Sequence, residues 1–371
     1  MKNYDYVIVG AGCYGAVFGQ QMREAGKSVL IVDVRRHIGG NCYSENHEDT
    51  GINVHRYGTH IFHTNDERTW KYVNRFTEFN HYRHTVLTTY RGKVYSMPIN
   101  LGTINALYGT NLTPGEVPAF LESKKGTYGK PQNLEEQAIK LVGRDLYEAF
   151  IRGYTLKQWQ RDPKDLPPSI ITRLPVRSSY DASYFSDRYQ GIPVEGYTPM
   201  FERMLEGIDV ELGVDFLSDR EHFRSRARHL VYTGPVDRYF DYQLGRLAWR
   251  SVRFETQRLD VHDYQGTACM NYAEEEVPYT RIHEPQHLHP EKGHTHRPFT
   301  VIMREFSYNN DNEPYYPVNS EEDRELYARY EALAAQEQDV TFGGRLAEYK
   351  YYDMHQVIAS ALARVRKVER G

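Results

Sequence analysis

The start of the chain carries a pattern that few folds can accommodate. An apolar run at residues 4–9 leads into Gly-Ala-Gly-Cys-Tyr-Gly at residues 10–15, and a helical pattern then continues to Ala25. A second apolar run, at residues 28–33, ends on the acid Asp33. Strand, glycine turn, helix and strand in this order predict the opening βαβ unit of a Rossmann-like fold.

Each glycine of this turn has a physical reason to be there. We expect Gly10 to permit the tight turn, Gly12 to let the backbone approach a pyrophosphate, and Gly15 to let the helix pack closely on the strand. The helix N-terminus offers N–H groups to phosphate oxygens, and Asp33 can accept hydrogen bonds from ribose hydroxyls. The segment therefore predicts dinucleotide binding. Two neighbouring residues are included among the predicted contacts, Tyr14 and Val34.

The loop that follows favours FAD over a nicotinamide cofactor. Two arginines, at 35 and 36, precede Gly39, Gly40 and Asn41, and this second glycine pair resembles an extension found in FAD-binding flavoproteins of the glutathione-reductase and amine-oxidase type. The alternative is an ordinary loop in which these glycines only supply positive φ. The arginines suit the 2′-phosphate of NADP, but the acid at position 33 disfavours it. Since no second glycine motif of this kind occurs, we expect no dedicated NAD(P)H site.

Size and composition limit the remaining classes of protein. A chain of 371 residues exceeds the size at which one core stops growing, so we expect two or three packed substructures. No apolar stretch approaches the roughly 18 residues of a membrane span, and the N-terminus lacks a signal peptide, so we expect a cytoplasmic protein. A net charge of −4 gives no basic footprint for nucleic acid. The 31 tyrosines suit a cleft that stacks rings and hydrogen-bonds sugars or phosphates.

Neither cysteine nor histidine spacing predicts a metal site. Cys13, Cys42 and Cys269 are widely separated and form no CxxC pair, which also disfavours a disulfide framework. His60 and His63 lie three residues apart, but no carboxylate or cysteine stands nearby at ligand spacing. We therefore expect no metal.

The pattern along the chain predicts an α/β protein with an inserted helical region. Residues 66–174 read as mostly helical, with one helix from about 133 to 154, and residues 252–304 alternate as antiparallel strands do. Short strands near 210–216 and 229–234, and a strand, glycine turn and helix at 341–365, are predicted to belong to the same domain as the N-terminal βαβ unit. The predicted fold class is an FAD-binding Rossmann-like βαβ domain with a helical insertion and an antiparallel β-sheet domain. The predicted boundaries are 1–75, 205–245 and 330–371 for the discontinuous FAD domain, 76–175 for the helical domain with a mobile lid near 163–178, and 176–204 with 246–329 for the sheet and substrate domain.

Five strings of the sequence, in this order, resemble bacterial members of the UDP-galactopyranose mutase family. They are Gly-Gly-Asn-Cys-Tyr at 39–43, Tyr-Gly-Thr-His-Ile-Phe-His-Thr at 57–64, Gly-Tyr-Thr-Leu-Lys-Gln-Trp at 153–159, Tyr-Phe-Ser-Asp-Arg-Tyr-Gln-Gly-Ile-Pro at 184–193, and Phe-Gly-Gly-Arg-Leu-Ala-Glu-Tyr-Lys-Tyr-Tyr-Asp-Met at 342–354. The likeness covers nearly the full length.

The resemblance implies a reaction without net redox change, in which UDP-galactopyranose and UDP-galactofuranose interconvert on reduced FAD. In the family mechanism N5 of the flavin attacks the anomeric carbon and displaces UDP. The sugar ring then opens and recloses with a different size. The cofactor supplies the chemistry while the protein positions groups and neutralises charge. The resemblance also implies a homodimer, and electrons would come from a general reductant that the sequence does not identify.

Residues that match the family motifs acquire implied roles. The diphosphate would be held by Arg173 and Arg281, because paired guanidinium groups bind its oxygens bidentately. These two and His60, which would lie beside the flavin, form the candidate catalytic set. Other implied substrate contacts are Tyr184, Tyr315 and Tyr351 at the diphosphate, Thr155 and Trp159 at the sugar, Phe150 and Tyr154 at the uracil, and Asn271 and His84. Other implied flavin contacts are Ile61, Arg345, Asp353 and Met354.

Two departures and two alternatives accompany this hypothesis. Gln160 follows Trp159 where we expect glycine in the family, so the local turn can differ, and His84 stands where relatives commonly carry asparagine, so substrate binding could depend on pH. The alternatives are an amine-oxidase-like enzyme with net redox chemistry and a non-catalytic nucleotide-sugar binding protein. Residue types alone also leave related sugars open, such as UDP-arabinose or an N-acetylated galactose.

Overall fold

A computed structural model gives the fold and describes residues 2–126, 129–171, 174–308 and 313–368. In chain order its strands are β1 (Tyr4–Val9), β2 (Val29–Asp33), β3 (Ser44–Asn46), β4 (Asn53–His55), β5 (Phe62–Thr64), β6 (Val86–Tyr90), β7 (Lys93–Met97), β8 (Tyr189–Gly191), β9 (Asp209–Leu212), β10 (Ala227–Tyr232), β11 (Trp249–Leu259), β12 (Cys269–Tyr272), β13 (Arg281–His283), β14 (Thr300–Tyr308), β15 (Tyr316–Pro317) and β16 (Val340–Phe342). Its α-helices are α1 (Cys13–Glu24), α2 (Glu67–Val73), α3 (Leu101–Tyr108), α4 (Val117–Lys124), α5 (Leu134–Val142), α6 (Arg144–Tyr147), α7 (Gly153–Trp159), α8 (Tyr197–Leu205), α9 (Arg220–Arg226), α10 (Val236–Tyr239), α11 (Glu321–Ala334) and α12 (Met354–Val368).

The first sheet is parallel and is covered by helices on both faces. Its strand order is β16-β10-β1-β2-β9. Alternate residues of β1 point to opposite sides, so Tyr6 and Ile8 join one apolar cluster with α1, α8 and α12, whereas Val7 joins another with α9. All residues of β2 are buried, as expected for a strand between two helical layers. The predicted Rossmann-like fold class is confirmed.

The second sheet has seven strands in the order β15-β11-β14-β13-β12-β6-β7. The longest pairing joins β11 and β14 over nine antiparallel residue pairs, from Ser251 with Tyr308 to Leu259 with Thr300. The sequence predicts antiparallel pairing for this region, and every pair in the sheet is antiparallel except β6 with β12, which run parallel. That parallel pair joins the inserted region to the sheet.

The expected helical character of residues 66–174 is wrong at β6 and β7, which form a hairpin. Its two-residue turn, Arg91 and Gly92, has φ of 49° and 71°. Positive φ at both central positions matches the right-handed twist of a hairpin. The signal was present in the β-branched residues of Val-Leu-Thr-Thr-Tyr and in the glycine that follows them.

The predicted single helix at 133–154 is broken into shorter segments. Gly143 has φ of 88°, and a Cβ atom there would lie 2.7 Å from the carbonyl oxygen of Lys124, so the chain turns sharply. A π-helical turn, Glu148–Arg152, then leads into α7. Gln160 ends α7 with φ of 50°, and its side-chain amide donates to the carbonyl oxygen of Ser307 at 2.9 Å. The turn therefore accommodates a residue other than glycine at 160.

Strands of the parallel sheet come from residues 4–33, 209–232 and 340–342, but the proposed domain boundaries and the lid near 163–178 stay predictions. Among the residues that the structure describes, no helix combines the length and apolar character needed to cross a membrane.

Candidate active site

A cavity of about 900 Å³ opens beside the glycine turn, at the carboxyl ends of β1, β2 and β10. Ligands of open parallel sheets bind at this edge. Of the residues predicted to hold a dinucleotide, most line the cavity, namely Gly10, Gly12, Tyr14, Asp33, Val34, Gly39, Gly40, Asn41, His60, Arg345 and Met354. Val34 is 58% exposed, so an apolar side chain faces an open cavity large enough for a ligand to cover it.

Close backbone contacts explain two of the glycines. A Cβ atom at Gly15 would lie 1.9 Å from the carbonyl oxygen of Gly10, so this position serves helix packing and does not line the cavity. At Gly40, where φ is 56°, a Cβ atom would lie 3.0 Å from Cα of Gly12. The two glycine-rich loops therefore touch each other. The Asp33 carboxylate accepts the backbone N–H groups of Ala11 at 2.7 Å and Arg35 at 2.8 Å, which fixes it at the rim.

Several cavity residues follow β10 and carry no motif that the sequence could have revealed. Arg238 donates to Asp215 at 2.7 Å, and the guanidinium of Arg246 lies 3.8 Å from the ring centre of Tyr242. All four residues line the cavity. Two arginines and a tyrosine within nine positions were the available signal.

A smaller cavity of about 170 Å³ adjoins the first. The two share Tyr57, His60, Arg345 and Met354 in their walls. Seven predicted residues line only this second space, namely Ile61, His84, Tyr184, Asn271, Arg281, Tyr351 and Asp353. A predicted cofactor site and a predicted substrate site thus open onto common residues.

The register of three neighbouring strands assembles the charged wall of this smaller cavity. Asn271 of β12 stands opposite Arg281 of β13, and Arg281 stands opposite Glu305 of β14. Residues directly opposite each other in an antiparallel pair have neighbouring side chains. Glu305 was not predicted, because its position beside Arg281 depends on a pairing between strands that lie far apart in sequence.

Glu305 lies between two cations. Its carboxylate is 3.5 Å from Nε of Arg281 and 2.9 Å from Nε2 of His283, and Nδ1 of His283 lies 2.8 Å from the hydroxyl of Thr59. Burial alone would raise the pKa of Glu305, but the Arg281 charge and the bond from His283 bring it to about 2. Burial alone would lower the pKa of His283, but its bonds with Cys269 and Glu305 raise it to about 9. Two cations and one anion leave the wall positive.

His60, by contrast, is held neutral. Burial, together with the charges of Arg345 and His283, lowers the pKa of His60 to about 4, although its bond to the Gly58 carbonyl acts in the opposite direction. Nδ1 lies 2.7 Å from that carbonyl oxygen, so Nδ1 carries the proton and donates it. Nε2 is then left with a lone pair at the junction of the two cavities.

The pH sensitivity expected from His84 does not agree with its surroundings. His84 is 6% exposed, and burial with the charges of Arg281 and His283 lowers its pKa to about 3. Its Nδ1 lies 3.2 Å from the hydroxyl of Tyr82. Burial therefore favours a neutral imidazole between pH 5.5 and 8, because it outweighs the ordinary titration of histidine. The effect of His84 on substrate binding stays a prediction.

Four other predicted substrate residues line neither cavity, namely Phe150, Tyr154, Thr155 and Trp159. Arg281 donates a hydrogen bond to the hydroxyl of Tyr154 in α7. Thr155 is buried, and Trp159 packs against the helical core. Phe150 is 8% exposed, and its ring packs edge-on against the rings of Tyr90 and Tyr95. Two predictions fall elsewhere: Tyr315 lines the larger cavity, and Arg173 lies outside the described residues.

A histidine cluster beside the smaller cavity was also missed. His63 approaches Asp187 at 2.7 Å through Nδ1 and Asp353 at 3.9 Å through Nε2, and its ring lies 4.8 Å from that of His355. The sequence analysis found no carboxylate at ligand spacing from His63, but the fold brings in Asp187 and Asp353 from distant segments. One ligand-type atom each of His63, Asp353 and His355 lies within 4.8 Å of the others. The absence of a metal stays a prediction.

Comparison with known proteins gives two family matches. A family model described as UDP-galactopyranose mutase matches residues 149–351. A second, described as an NAD(P)-binding Rossmann-like domain, matches residues 8–76. The first match contains the charged wall and α7, and the second contains the glycine-rich loops.

Individual relatives extend over almost the whole chain. A protein of Escherichia coli named dTDP-fucopyranose mutase is 42% identical over 368 residues, which cover 96% of this chain and 96% of that protein. A Klebsiella pneumoniae protein named probable UDP-galactopyranose mutase is 43% identical over 367 residues, covering 98% and 94%. The solved structure of a reduced UDP-galactopyranose mutase covers 99% of this chain and 96% of its own with a TM-score of 0.76; at 13% identity this likeness shows the fold.

Proposed function

This chain belongs to the UDP-galactopyranose mutase family, as its motifs predicted, and from that premise we propose that it interconverts UDP-galactopyranose and UDP-galactofuranose. A change of ring size without net oxidation makes it an isomerase. The observation that carries the proposal is the adjoining pair of cavities: a dinucleotide-sized space with glycine-rich walls opens beside a smaller space with a cationic wall at Arg281.

The residues of the larger cavity fit FAD. The turn at Gly12 leaves the first N–H groups of α1 without intrahelical partners, which suits a pyrophosphate. Met354 begins α12 and lines both cavities, so the positive end of this helix dipole favours an anionic ring system at their junction. When bound in its reduced form, FAD would supply the nucleophilic N5 atom for the anomeric carbon.

The cationic wall suits a diphosphate leaving group. Arg281 is fixed by Glu305 on one side and by the Tyr154 hydroxyl on the other, so its planar fork loses little freedom when it binds. Because His283 is protonated as well, the Glu305 charge is shared and does not cancel that of Arg281. We assign Arg281 to the stabilisation of departing UDP, and Arg173 to the same role from the family motif.

His60 is the residue of this chain best placed at the reacting centre. Its neutral ring has a lone pair on Nε2 that can accept a hydrogen bond, and it would not repel a cationic sugar carbon as an imidazolium would. We propose that it accepts a hydrogen bond from the cofactor or the sugar. Tyr184 and Tyr351, which are 48% and 63% exposed, would be covered by the bound nucleotide sugar.

One observation favours a second substrate. The Escherichia coli relative, 42% identical to this chain, is named for dTDP-fucopyranose, which differs from UDP-galactopyranose in its base, its ribose and its sugar C6. A pocket discriminates weakly against one added or missing small group. The second candidate function is therefore the same ring contraction on a deoxythymidine-diphosphate 6-deoxysugar.

A substrate comparison tests both candidates. The chain, with its flavin reduced by dithionite, is incubated separately with UDP-galactofuranose and dTDP-fucofuranose, and the pyranose products are separated by chromatography. We expect a larger kcat/KM with the uridine substrate. A larger kcat/KM with the thymidine substrate would replace the first candidate by the second, and conversion of neither would favour an oxidase or a binding protein. The homodimer and the electron donor stay predictions.

A further inference from the structure

Two cysteines separated by 28 residues in sequence meet in the wall of the larger cavity. Sγ of Cys13 lies 3.4 Å from Sγ of Cys42. Cys42 is buried, Cys13 is half-buried, and both line the cavity beside the glycine-rich loops. The third cysteine, Cys269, lies in β12 and lines neither cavity.

The local backbone explains why these thiols are close. Cys13 is the first residue of α1, directly after the turn at Gly12, and Cys42 ends the short 3₁₀ turn that follows Gly39. The loops are held together where the Gly39 N–H donates to the carbonyl oxygen of Ala11 at 2.8 Å. Each thiol is thus carried by one of the two segments that surround the predicted pyrophosphate site.

The surroundings of the two thiols shift their pKa values in opposite directions. The hydrogen bond from Cys42 lowers the pKa of Cys13, although burial acts against it, and the charge of Arg345 adds to the lowering. The same hydrogen bond, together with burial, raises the pKa of Cys42. The helix N-terminus favours a thiolate on Cys13 further. Cys13 is therefore the nucleophile of the pair, and Cys42 is the thiol that can resolve an oxidised Cys13.

We propose that Cys13 and Cys42 form a redox-active dithiol, oxidised by peroxides to a disulfide that ties the two cofactor loops together and weakens FAD binding. In the first step the Cys13 thiolate and a proton react with hydrogen peroxide to give a sulfenic acid and water. In the second step the Cys42 thiol attacks that sulfur, forming the disulfide and releasing a second water. An external dithiol reverses the reaction by exchange.

The effect on FAD follows from the space available. A disulfide requires about 2.05 Å between the sulfur atoms, so the two must approach by roughly 1.4 Å. The two loops lie close together here, since a Cβ atom added to Gly40 would lie 3.0 Å from Cα of Gly12. Side-chain rotation supplies part of the approach of the sulfur atoms, and we infer that the rest displaces the first turn of α1, whose N–H groups would hold the pyrophosphate. This part of the inference rests on the proposed function.

The test begins with a thiol count on the full chain. After reduction and removal of reductant, half of the sample receives hydrogen peroxide, and free thiols are titrated in denaturant. We expect three thiols in the reduced chain and one in the oxidised chain, with peptide mapping joining the peptides of Cys13 and Cys42. The variant Cys42→Ser should stop at a sulfenic acid on Cys13, which dimedone traps. The matched control Cys269→Ser should still lose two thiols.

FAD affinity is then measured by fluorescence titration of both forms. We expect the dissociation constant to rise about tenfold or more in the disulfide form, and bound FAD to slow the oxidation. Three thiols remaining after peroxide, or a disulfide that includes Cys269, would overturn the dithiol. Equal dissociation constants in the two forms would overturn its link to the cofactor. A reduced chain that binds no FAD contradicts the proposed function instead, and the thiol count then decides the dithiol.

Discussion

Replacement of Glu305 by glutamine should switch the charge of His283. In the structure both nitrogens of His283 have oxygen partners, Thr59 at 2.8 Å and Glu305 at 2.9 Å, as an imidazolium requires. A pKa of about 9 against an ordinary 6.5 corresponds to about 3 kcal/mol in favour of the charged form. Glu305→Gln keeps the shape and removes the carboxylate. Burial and the charge of Arg281 then dominate, and we expect the pKa of His283 to fall below about 7.

Nuclear magnetic resonance of the chain with labelled histidines, recorded between pH 6 and 10, measures the pKa of His283 directly. The His283 signal is assigned by its loss in His283→Gln. Cys269→Ser measures the share of the other partner, because the bond with Cys269 also raises the pKa of His283. We expect that share to be smaller than the effect of the carboxylate, since a thiol is uncharged at neutral pH. If His283 titrates at the same pH in wild type and Glu305→Gln, or if Cys269→Ser has the larger effect, the assignment of Glu305 as its main partner is refuted.

The same pair links stability to pH. The folded-state pKa of His283 lies above its ordinary value, so the stabilisation is fully present below pH 6.5 and is lost as the pH rises through about 9. We expect the thermal stability of wild type to fall over this window more steeply than that of Glu305→Gln.

Three further predictions concern the site and the turn that ends α7. Arg281→Lys keeps the charge but loses the planar guanidinium group, so we expect the affinity for UDP, measured by calorimetry, to fall about tenfold. The control Arg304→Lys, on the same sheet, should leave this affinity unchanged. Equal effects of the two substitutions would contradict the assigned role of Arg281. Gln160→Gly relieves the strain of the left-handed backbone but removes the hydrogen bond to Ser307, and each effect is worth about 1 kcal/mol. We therefore expect Gln160→Gly to leave the melting temperature nearly unchanged, whereas Gln160→Ala, which loses the bond and keeps the strain, should lower it. The reverse order would contradict this account. Since His84 is already neutral, His84→Asn should not alter the pH profile of UDP affinity from 5.5 to 8, and a changed slope would show that the imidazole titrates there.

Much of the larger cavity could be predicted because its chemistry is local in sequence. The glycine turn, Asp33 and the second glycine pair all lie within 31 residues, from Gly10 to Gly40, and their roles depend on backbone geometry that glycine itself signals. The walls contributed by Arg238 and Arg246 could not be predicted in this way. They follow a strand that only the order of the parallel sheet brings to the same edge.

The smaller cavity shows where inference from sequence ends. Arg281 and Asn271 were named because the resemblance implies a role at these positions, but Glu305 and His283 become partners only through the register of β13 and β14. His63 illustrates the same limit, since its carboxylate partner Asp187 is distant in sequence. Burial lowers the pKa of His84 below its ordinary value, and the burial of a side chain depends on the assembled fold.

The central claim is that the two cavities hold a reduced flavin and a nucleotide sugar for a reaction without net oxidation. The most direct measurement follows UDP-galactofuranose conversion by one preparation of the chain under anaerobic conditions, first with its flavin oxidised and then after dithionite reduction, while the flavin absorbance is recorded. We predict no turnover in the oxidised state, many turnovers in the reduced state, and an absorbance that stays at the reduced level throughout. Turnover by the oxidised chain, or reoxidation of the flavin in proportion to product, would contradict the account.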